Sequence, residues 1–174
     1  MNSVNHGLIA LALTFLFVNP HTPNVLWAVV TALVFGVLID TDHYLNKGAP
    51  WFHKRTWVQE PAGLLIIGVP AALTAALLLN IPTATWLVLA PYASHIVLDY
   101  LCIFEAHPLA PLTYRVVKRE GLGLFYPDDL WGSVNAVKWF RRVKECGYRA
   151  VSENYFTPLA TALLILVVAA KLVS

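Results

Sequence analysis

Aspartate and histidine side chains occur within, or directly after, strongly apolar stretches of this chain. Asp40, Asp42 and His43 end the run GVLIDTDHY, and His95 and Asp99 lie within YASHIVLDYL. A carboxylate at the centre of a membrane costs about 3 kcal/mol or more, so an acidic cluster in such a run indicates a functional site with a compensating cation. Imidazole and carboxylate together are ligands that zinc, manganese and iron take in proteins. The pattern therefore predicts a divalent metal site.

The spacing of these residues lets two side chains reach one ion. His95 and Asp99 stand at i and i+4, and Asp40 and His43 at i and i+3, so each pair shares one helical face. Asp42 either turns inward where a helix ends near Asp40, or orients an imidazole ligand from behind. One ion, or two ions about 3.5–4 Å apart, would turn bound water into a nucleophile and polarise a phosphoryl or carbonyl oxygen. Zinc is the favoured metal, with manganese and iron as alternatives.

The composition indicates an integral membrane protein. Of the 174 residues, 58% are hydrophobic and 13% are charged, whereas about 25% of a soluble domain is charged. The mean hydropathy of +0.63 agrees with this interpretation. We expect a single membrane domain over residues 1–174, with an all-α fold.

Five apolar segments predict the membrane spans of a polytopic helix bundle. They cover about residues 5–18, 25–43, 61–79, 86–104 and 156–173, against the roughly 20 residues that a spanning helix needs. Residues 105–155 are too polar to cross and are predicted to form an interfacial segment on the cytoplasmic side. From Ser133 onward this segment has the pattern of a basic amphipathic helix, which anionic headgroups attract.

The basic residues predict the orientation in the membrane. Three of the twelve Lys and Arg residues lie between the second and third segments, eight lie between the fourth and fifth, and only Lys171 lies elsewhere. By the positive-inside rule both basic loops are cytoplasmic. The prediction is therefore a multi-pass protein of the inner, or plasma, membrane with its N-terminus inside and its C-terminus outside.

The predicted orientation brings the candidate site residues to one face. His6 precedes the first segment, Asp40 closes the second, and Glu60 precedes the third. His95 and Asp99 lie about 13 Å and 7 Å from the cytoplasmic end of the fourth segment, at 1.5 Å per residue. Convergence of these residues favours one shared site over isolated polar contacts within a bundle.

Several short motifs together resemble a known family. The chain contains NHG at Asn5–Gly7, LIDTDH at Leu38–His43, SHIVLD at Ser94–Asp99 and PLAP at Pro108–Pro111. This set, spread over residues 5–111, resembles the YdjM-like family of membrane-bound proteins classed as metal-dependent hydrolases. The resemblance implies a helical membrane fold, a metal site at the DTDH and SHIVLD motifs, and hydrolytic activity.

The chain departs from the family pattern at one motif. The family has H-R-x-x-T-H-S where this chain has HKRTWVQE at His53–Glu60. The second histidine of the motif is missing, and Glu60 is the nearest residue able to replace it as a ligand. The resemblance thus implies either a changed site or a different metal or substrate.

These observations lead to a specific functional expectation. We expect metal ligation by His6, Asp40, His43, His95 and Asp99. Asp42 and Glu60 are expected to act as further ligands or as the general base. The expected reaction is hydrolysis of an ester, a phosphoester of a lipid or lipid-linked substrate, at the cytoplasmic face. The expected phosphate-binding residues are basic and lie in the cytoplasmic loops: His53, Lys54, Arg55, Arg115 and Arg119.

Two other functions use the same residues. A metal-ion or proton transporter would use the cluster as a transit site, although transporters usually bind their cargo near the midplane between repeats. A non-catalytic membrane protein would use a metal only to hold its helices together, which depends on whether a coordination position is open. Membrane lipids with anionic headgroups are the expected partners, and no nucleic acid is expected.

The orientation can be tested by labelling single cysteines with a membrane-impermeant reagent, after removal of Cys102 and Cys146. A cysteine placed at Lys118 should react only from the cytoplasm, because it lies in a basic loop. A cysteine placed at Thr22 should react only from outside. Reversed labelling at both positions would contradict the predicted orientation.

Overall fold

The computed structural model describes residues 3–18, 24–41, 56–80, 83–101, 125–126, 151–152 and 155–173. Five helices account for most of them: α1 (Ser3–Phe17), α2 (Asn24–Gly36), α3 (Pro61–Leu79), α4 (Ala84–Leu101) and α5 (Phe156–Val173). Two 3₁₀ turns cover Leu38–Thr41 and Trp57–Gln59. A two-residue strand β1 (Phe125–Tyr126) pairs in parallel with β2 (Val151–Ser152). The expected helical fold is confirmed for the described part of the chain.

Three of the described segments are long and apolar enough to cross a membrane: Asn24–Thr41, Pro61–Leu79 and Phe156–Val173. α1 is a shorter apolar helix of 15 residues. α4 carries His95 and Asp99, and more than half of its 18 residues are buried. The expectation of five spans therefore stays a prediction. The expected cytoplasmic amphipathic helix lies outside the described residues.

α4 is the central helix of the bundle. It packs against α1, α2 and α3, whereas α5 packs along α1. A helix enclosed by others can carry polar groups that would be costly on a helix facing lipid. The position of α4 therefore explains how His95 and Asp99 are tolerated in an apolar protein.

Small residues bring α1 and α2 together. Ala28, Ala32 and Gly36 recur every four residues along α2, and all three are buried. A Cβ atom added at Gly36 would lie 2.4 Å from the Cβ of Ala10 on α1. Small residues are the usual means of close helix contact in membranes, where the surrounding lipid is as apolar as the side chains.

The regular α-helical part of α2 is shorter than the sequence pattern predicts. The expected helix ran to residue 43, but the α-helix ends at Gly36 and continues as a 3₁₀ turn through Thr41. The amide of Asp40 donates to the carbonyl of Val37 at 3.1 Å, rather than to the carbonyl of Gly36 as in an α-helix. The change of winding leaves the Gly36 carbonyl available to another donor.

α3 contains a wider turn directly before its proline. Leu64–Gly68 is π-helical, and the amide of Val69 donates to the carbonyl of Leu64, five residues earlier. Pro70 has no amide hydrogen to donate within an α-helical ladder, and π-type turns are a known way to absorb such a break. Gly63 and Gly68 lie against Tyr92 of α4, so the ring of Tyr92 packs closely on this turn.

The Gly36 contact yields a stability prediction. Gly36→Ala should lower the free energy of unfolding by about 1–3 kcal/mol, the typical cost of overpacking a close-packed site. Gly7→Ala is the matched control, because its added Cβ would meet only the tip of the Val37 side chain, at 3.2 Å. Thermal unfolding in detergent measures both variants. Equal melting temperatures for the two would contradict the proposed packing role of Gly36.

Candidate metal centre

Four side chains from three separate parts of the chain meet inside the bundle. His6 comes from α1, Asp40 from the 3₁₀ turn after α2, and His95 and Asp99 from α4. One potential ligand atom from each lies within 4.8 Å of the others. His6 and His95 are fully buried and Asp99 is nearly so. The structure therefore brings together four of the residues predicted as metal ligands.

The contacts within this group are short and alternate between imidazole and carboxylate. Nε2 of His6 lies 2.9 Å from Oδ1 of Asp99. Nε2 of His95 lies 3.2 Å from Oδ1 of Asp40 and 3.4 Å from Oδ2 of Asp99. The two imidazole rings stack with their centroids 4.0 Å apart. The i, i+4 pairing of His95 with Asp99 is thus confirmed as a direct contact.

The backbone of α2 fixes the protonation of one nitrogen of His95. Nδ1 of His95 lies 3.1 Å from the carbonyl oxygen of Gly36. A carbonyl can only accept, so Nδ1 carries the hydrogen and donates it. In the neutral ring the lone pair is then on Nε2, the atom that faces Asp40 and Asp99.

An imidazole lone pair facing two carboxylate oxygens needs a positive charge. Among the described residues, no hydrogen bond of acceptable geometry reaches Nε2 of His95 or Nδ1 of His6. A proton on Nε2 or a bound metal ion would supply that charge, and a metal ion can be bound by the nitrogen and both oxygens at once. A ligating histidine typically donates its other N–H to a carbonyl or carboxylate, as His95 does to Gly36. These residues fit a divalent metal with mixed nitrogen and oxygen ligands, of the class that includes zinc, manganese and iron.

Gln59 is a site residue that the sequence reasoning missed. Its side chain is fully buried, and Nε2 lies 3.4 Å from Oδ1 of Asp40 and 3.5 Å from the carbonyl of Ile39. Ser3 adds a contact of equal length from its hydroxyl to Oδ2 of Asp40, at 3.4 Å. The feature of the sequence that could have indicated Gln59 is its position in the motif HKRTWVQE, beside Glu60 at the start of α3. Gln59 holds Asp40 towards His95.

Glu60 is not part of the four-residue group. It is fully buried, and Oε2 accepts a hydrogen bond of 2.5 Å from the hydroxyl of Tyr100. Tyr100 follows Asp99 on α4, so Glu60 is tied to the same helix that supplies two ligands. The position expected to replace the missing family histidine is thus hydrogen-bonded to Tyr100 and lies outside the four-residue group.

The remaining predicted site residues lie outside the described part of the chain. They are the two candidates after Asp40 and the five candidates for phosphate binding: Asp42, His43, His53, Lys54, Arg55, Arg115 and Arg119. Their assigned roles stay predictions.

Comparison with known proteins agrees with the motifs. The profile of the YdjM inner membrane protein family matches residues 1–174. The chain belongs to this family. The match extends the resemblance seen over residues 5–111 to the whole chain and supports a membrane location. No curated protein and no solved structure shows significant similarity to it.

Removal of a ligand should release the metal. We expect purified protein to carry a bound transition metal. His95→Ala and Asp99→Asn should each lower the affinity for that metal by at least about 10–100-fold, because this is the loss typical for a residue that only hydrogen-bonds to a ligand. Ser94→Ala is the control, because the Ser94 hydroxyl donates to the carbonyl of Pro91 at 2.8 Å. Elemental analysis by mass spectrometry measures the metal content. Full metal content in both variants would show that His95 and Asp99 are not metal ligands.

Proposed function

We propose that this YdjM-family protein is a membrane-embedded, metal-dependent hydrolase that cleaves a phosphoester of a lipid or lipid-linked substrate at the cytoplasmic face. The observation that carries the proposal is the group of His6, Asp40, His95 and Asp99, in which Nε2 of His95 faces two carboxylates. A divalent ion held by such residues would activate water and polarise a phosphoryl oxygen. Zinc is the metal we propose, as one or two ions.

The residues of the chain have separate tasks in this proposal. His6, Asp40, His95 and Asp99 bind the metal, the Gly36 carbonyl orients His95, and Gln59 orients Asp40. Burial of His6, His95 and Asp99 by the surrounding helices strengthens the electrostatic interactions within the site, while the partly exposed Asp40 leaves one side open to water. Asp42 and Glu60 are the proposed general bases, and Glu60 has a phenol donor at 2.5 Å that would hold it in place. The basic loop residues, Lys54 and Arg55 among them, are proposed to bind the phosphate.

The position of the group along the helices supports an enzyme over a transporter. His6 lies in the first turns of α1, Asp40 follows the end of α2, and Asp99 lies in the last turn of α4. These positions are at the same end of the bundle. A transit site is usually near the midplane and needs access from both faces, so a one-sided site is better suited to a substrate that arrives from one leaflet.

One observation favours a second candidate. The contacts run in a chain from His6 to Asp99, to His95 and to Asp40, over 2.9, 3.4 and 3.2 Å. Such a chain of imidazoles and carboxylates is also typical of proton or metal relays in membrane proteins. A transporter of protons or metal ions is therefore the alternative proposal. A metal that serves only to hold the helices together is the third.

One reconstitution separates these three functions. The purified protein is placed in vesicles of anionic phospholipid with added zinc, and both lipid hydrolysis and ion flux are measured, by phosphorus NMR and by an entrapped metal or pH indicator. Hydrolysis that is lost in Asp99→Asn and unchanged in Ser94→Ala is the expected result. Flux without hydrolysis would favour the transporter, and metal binding without either would favour the structural role.

Substitution of Glu60 tests its proposed role as a base. Glu60→Gln should preserve metal content and folding while lowering turnover by about 10²–10⁴-fold, the usual contribution of general acid–base catalysis, because the amide keeps the shape but not the basicity. Glu60→His should retain more activity, because an imidazole is basic and restores the family motif. Tyr100→Phe is the comparison variant: it removes the hydrogen bond to Oε2 but keeps the basic carboxylate, so turnover should fall less than in Glu60→Gln. Wild-type turnover in Glu60→Gln would leave Glu60 a structural residue.

A further inference from the structure

Tyr92 links α4 to the 3₁₀ turn that precedes α3. Its side chain is fully buried, and its hydroxyl donates a hydrogen bond of 2.6 Å to the carbonyl oxygen of Val58. Val58 is the middle residue of the turn Trp57–Gln59, and Tyr92 lies one helical turn before His95 on α4. The helix that supplies two potential ligands is therefore bonded to a backbone segment far away in the sequence.

The packing around Tyr92 directs its hydroxyl to this carbonyl. Its ring stacks on that of Phe35 with centroids 5.6 Å apart, and a Cβ atom added at Gly68 would lie 2.9 Å from the ring. A Cβ atom added at Gly63 would lie 2.1 Å from the Val58 carbonyl oxygen and 2.7 Å from the Tyr92 hydroxyl oxygen. A glycine at position 63 thus leaves the space in which the hydrogen bond forms.

Hydrogen bonds within the turn give it its shape but do not place it relative to α4. The amide of Gln59 donates to the carbonyl of Thr56 at 3.1 Å, and the amide of Glu60 donates to the carbonyl of Trp57 at 3.2 Å. Two tyrosine hydroxyls of α4 supply the placement. Tyr92 bonds the residue before Gln59, and Tyr100 bonds the side chain of the residue after it.

The placement of the turn matters because Gln59 contacts a potential ligand. Nε2 of Gln59 lies 3.4 Å from Oδ1 of Asp40 and 3.5 Å from the carbonyl oxygen of Ile39. Both distances are at the long end of hydrogen bonding, so a small shift of the turn would break these contacts. The side chain of Asp40 is 21% exposed, and a carboxylate released by Gln59 could turn to water instead of His95.

We infer that Tyr92 is a positioning residue for the metal centre. Its hydroxyl fixes the turn Trp57–Gln59, the turn holds Gln59 against Asp40, and Gln59 keeps Oδ1 of Asp40 directed to Nε2 of His95. α4 then sets the position of a ligand on another segment as well as those of its own two. The inference deepens the proposed function and rests on its metal centre, but not on hydrolysis.

Cobalt binding tests this role, because the visible absorption of Co²⁺ reports the number and arrangement of its ligands. The full chain in detergent is titrated with Co²⁺ against a competing chelator, and the unfolding of the metal-free protein is measured separately. Tyr92→Phe removes the hydroxyl and keeps the ring that packs on Phe35. Gln59→Leu removes the amide that contacts Asp40. The double variant shows whether the two residues act together.

Two further variants make the test specific. Gly63→Ala keeps the Tyr92 hydroxyl but crowds the carbonyl that accepts from it, so it should reproduce the loss by another route. Thr74→Val is the matched control, because it also removes a hydroxyl bonded to a backbone carbonyl. That bond, to Pro70 at 2.9 Å, lies within α3 and away from the turn.

We expect Tyr92→Phe to weaken Co²⁺ binding about 10-fold, at the lower end of the loss typical for a residue that supports a ligand. Gln59→Leu should weaken it at least as much, with the same change of the absorption bands. The double variant should bind no more weakly than Gln59→Leu, and Thr74→Val should match wild type.

Wild-type affinity and absorption in Tyr92→Phe, even with a lower melting temperature, would overturn the inference and leave Tyr92 a residue of the fold alone. Losses that multiply in the double variant would also overturn it, because they would show that Tyr92 and Gln59 act independently. In both cases wild-type binding would leave the proposed metal centre standing. Absence of Co²⁺ binding by the wild-type protein would instead refute the metal centre and the inference together.

Discussion

Two carboxylates and an imidazole lone pair share one buried space in this protein, and the fold is organised around that repulsion. Asp40 and Asp99 both approach Nε2 of His95, the nitrogen left without a hydrogen once Nδ1 donates to Gly36. Burial of uncompensated charge is among the largest costs in protein structure. A bound cation would convert the same contacts from a cost into a link between α1, α4 and the turn that follows α2.

The packing of the helices follows from where these ligands must meet. α4 carries two of them and is enclosed by three neighbours, so its polar face is kept from lipid. The small residues along α2 let α1 approach it closely, and α1 also packs against α4, where His6 reaches Asp99. The end of the α-helix at Gly36 both aims Asp40 and leaves a carbonyl for His95. The change from α-helix to 3₁₀ turn thus positions Asp40, one potential ligand, and frees the carbonyl that orients His95, another.

The sequence predicted the parts of the site that depend on local spacing. His95 and Asp99 share a face of a regular α-helix, and the convergence of helix ends followed from the distribution of basic residues. The end of α2 at Gly36 was not predictable, because the apolar pattern continues to Ile39 without a break. The roles of Gln59 and Tyr100 depend on contacts between distant segments, Asp40 with Gln59 and Glu60 with Tyr100, that no single stretch of sequence reveals.

The order of the ligands along the chain bears on how the bundle is built. All four residues of the metal group lie between positions 6 and 99, whereas α5 begins at Phe156 and packs along α1. The set of potential ligands is therefore complete while about two fifths of the chain is still to be synthesised. Metal binding and folding are coupled wherever the site is made by the fold, so an ion bound at that stage would fix α1 in place. α5, inserted last, would then dock on a helix whose position the metal has already determined.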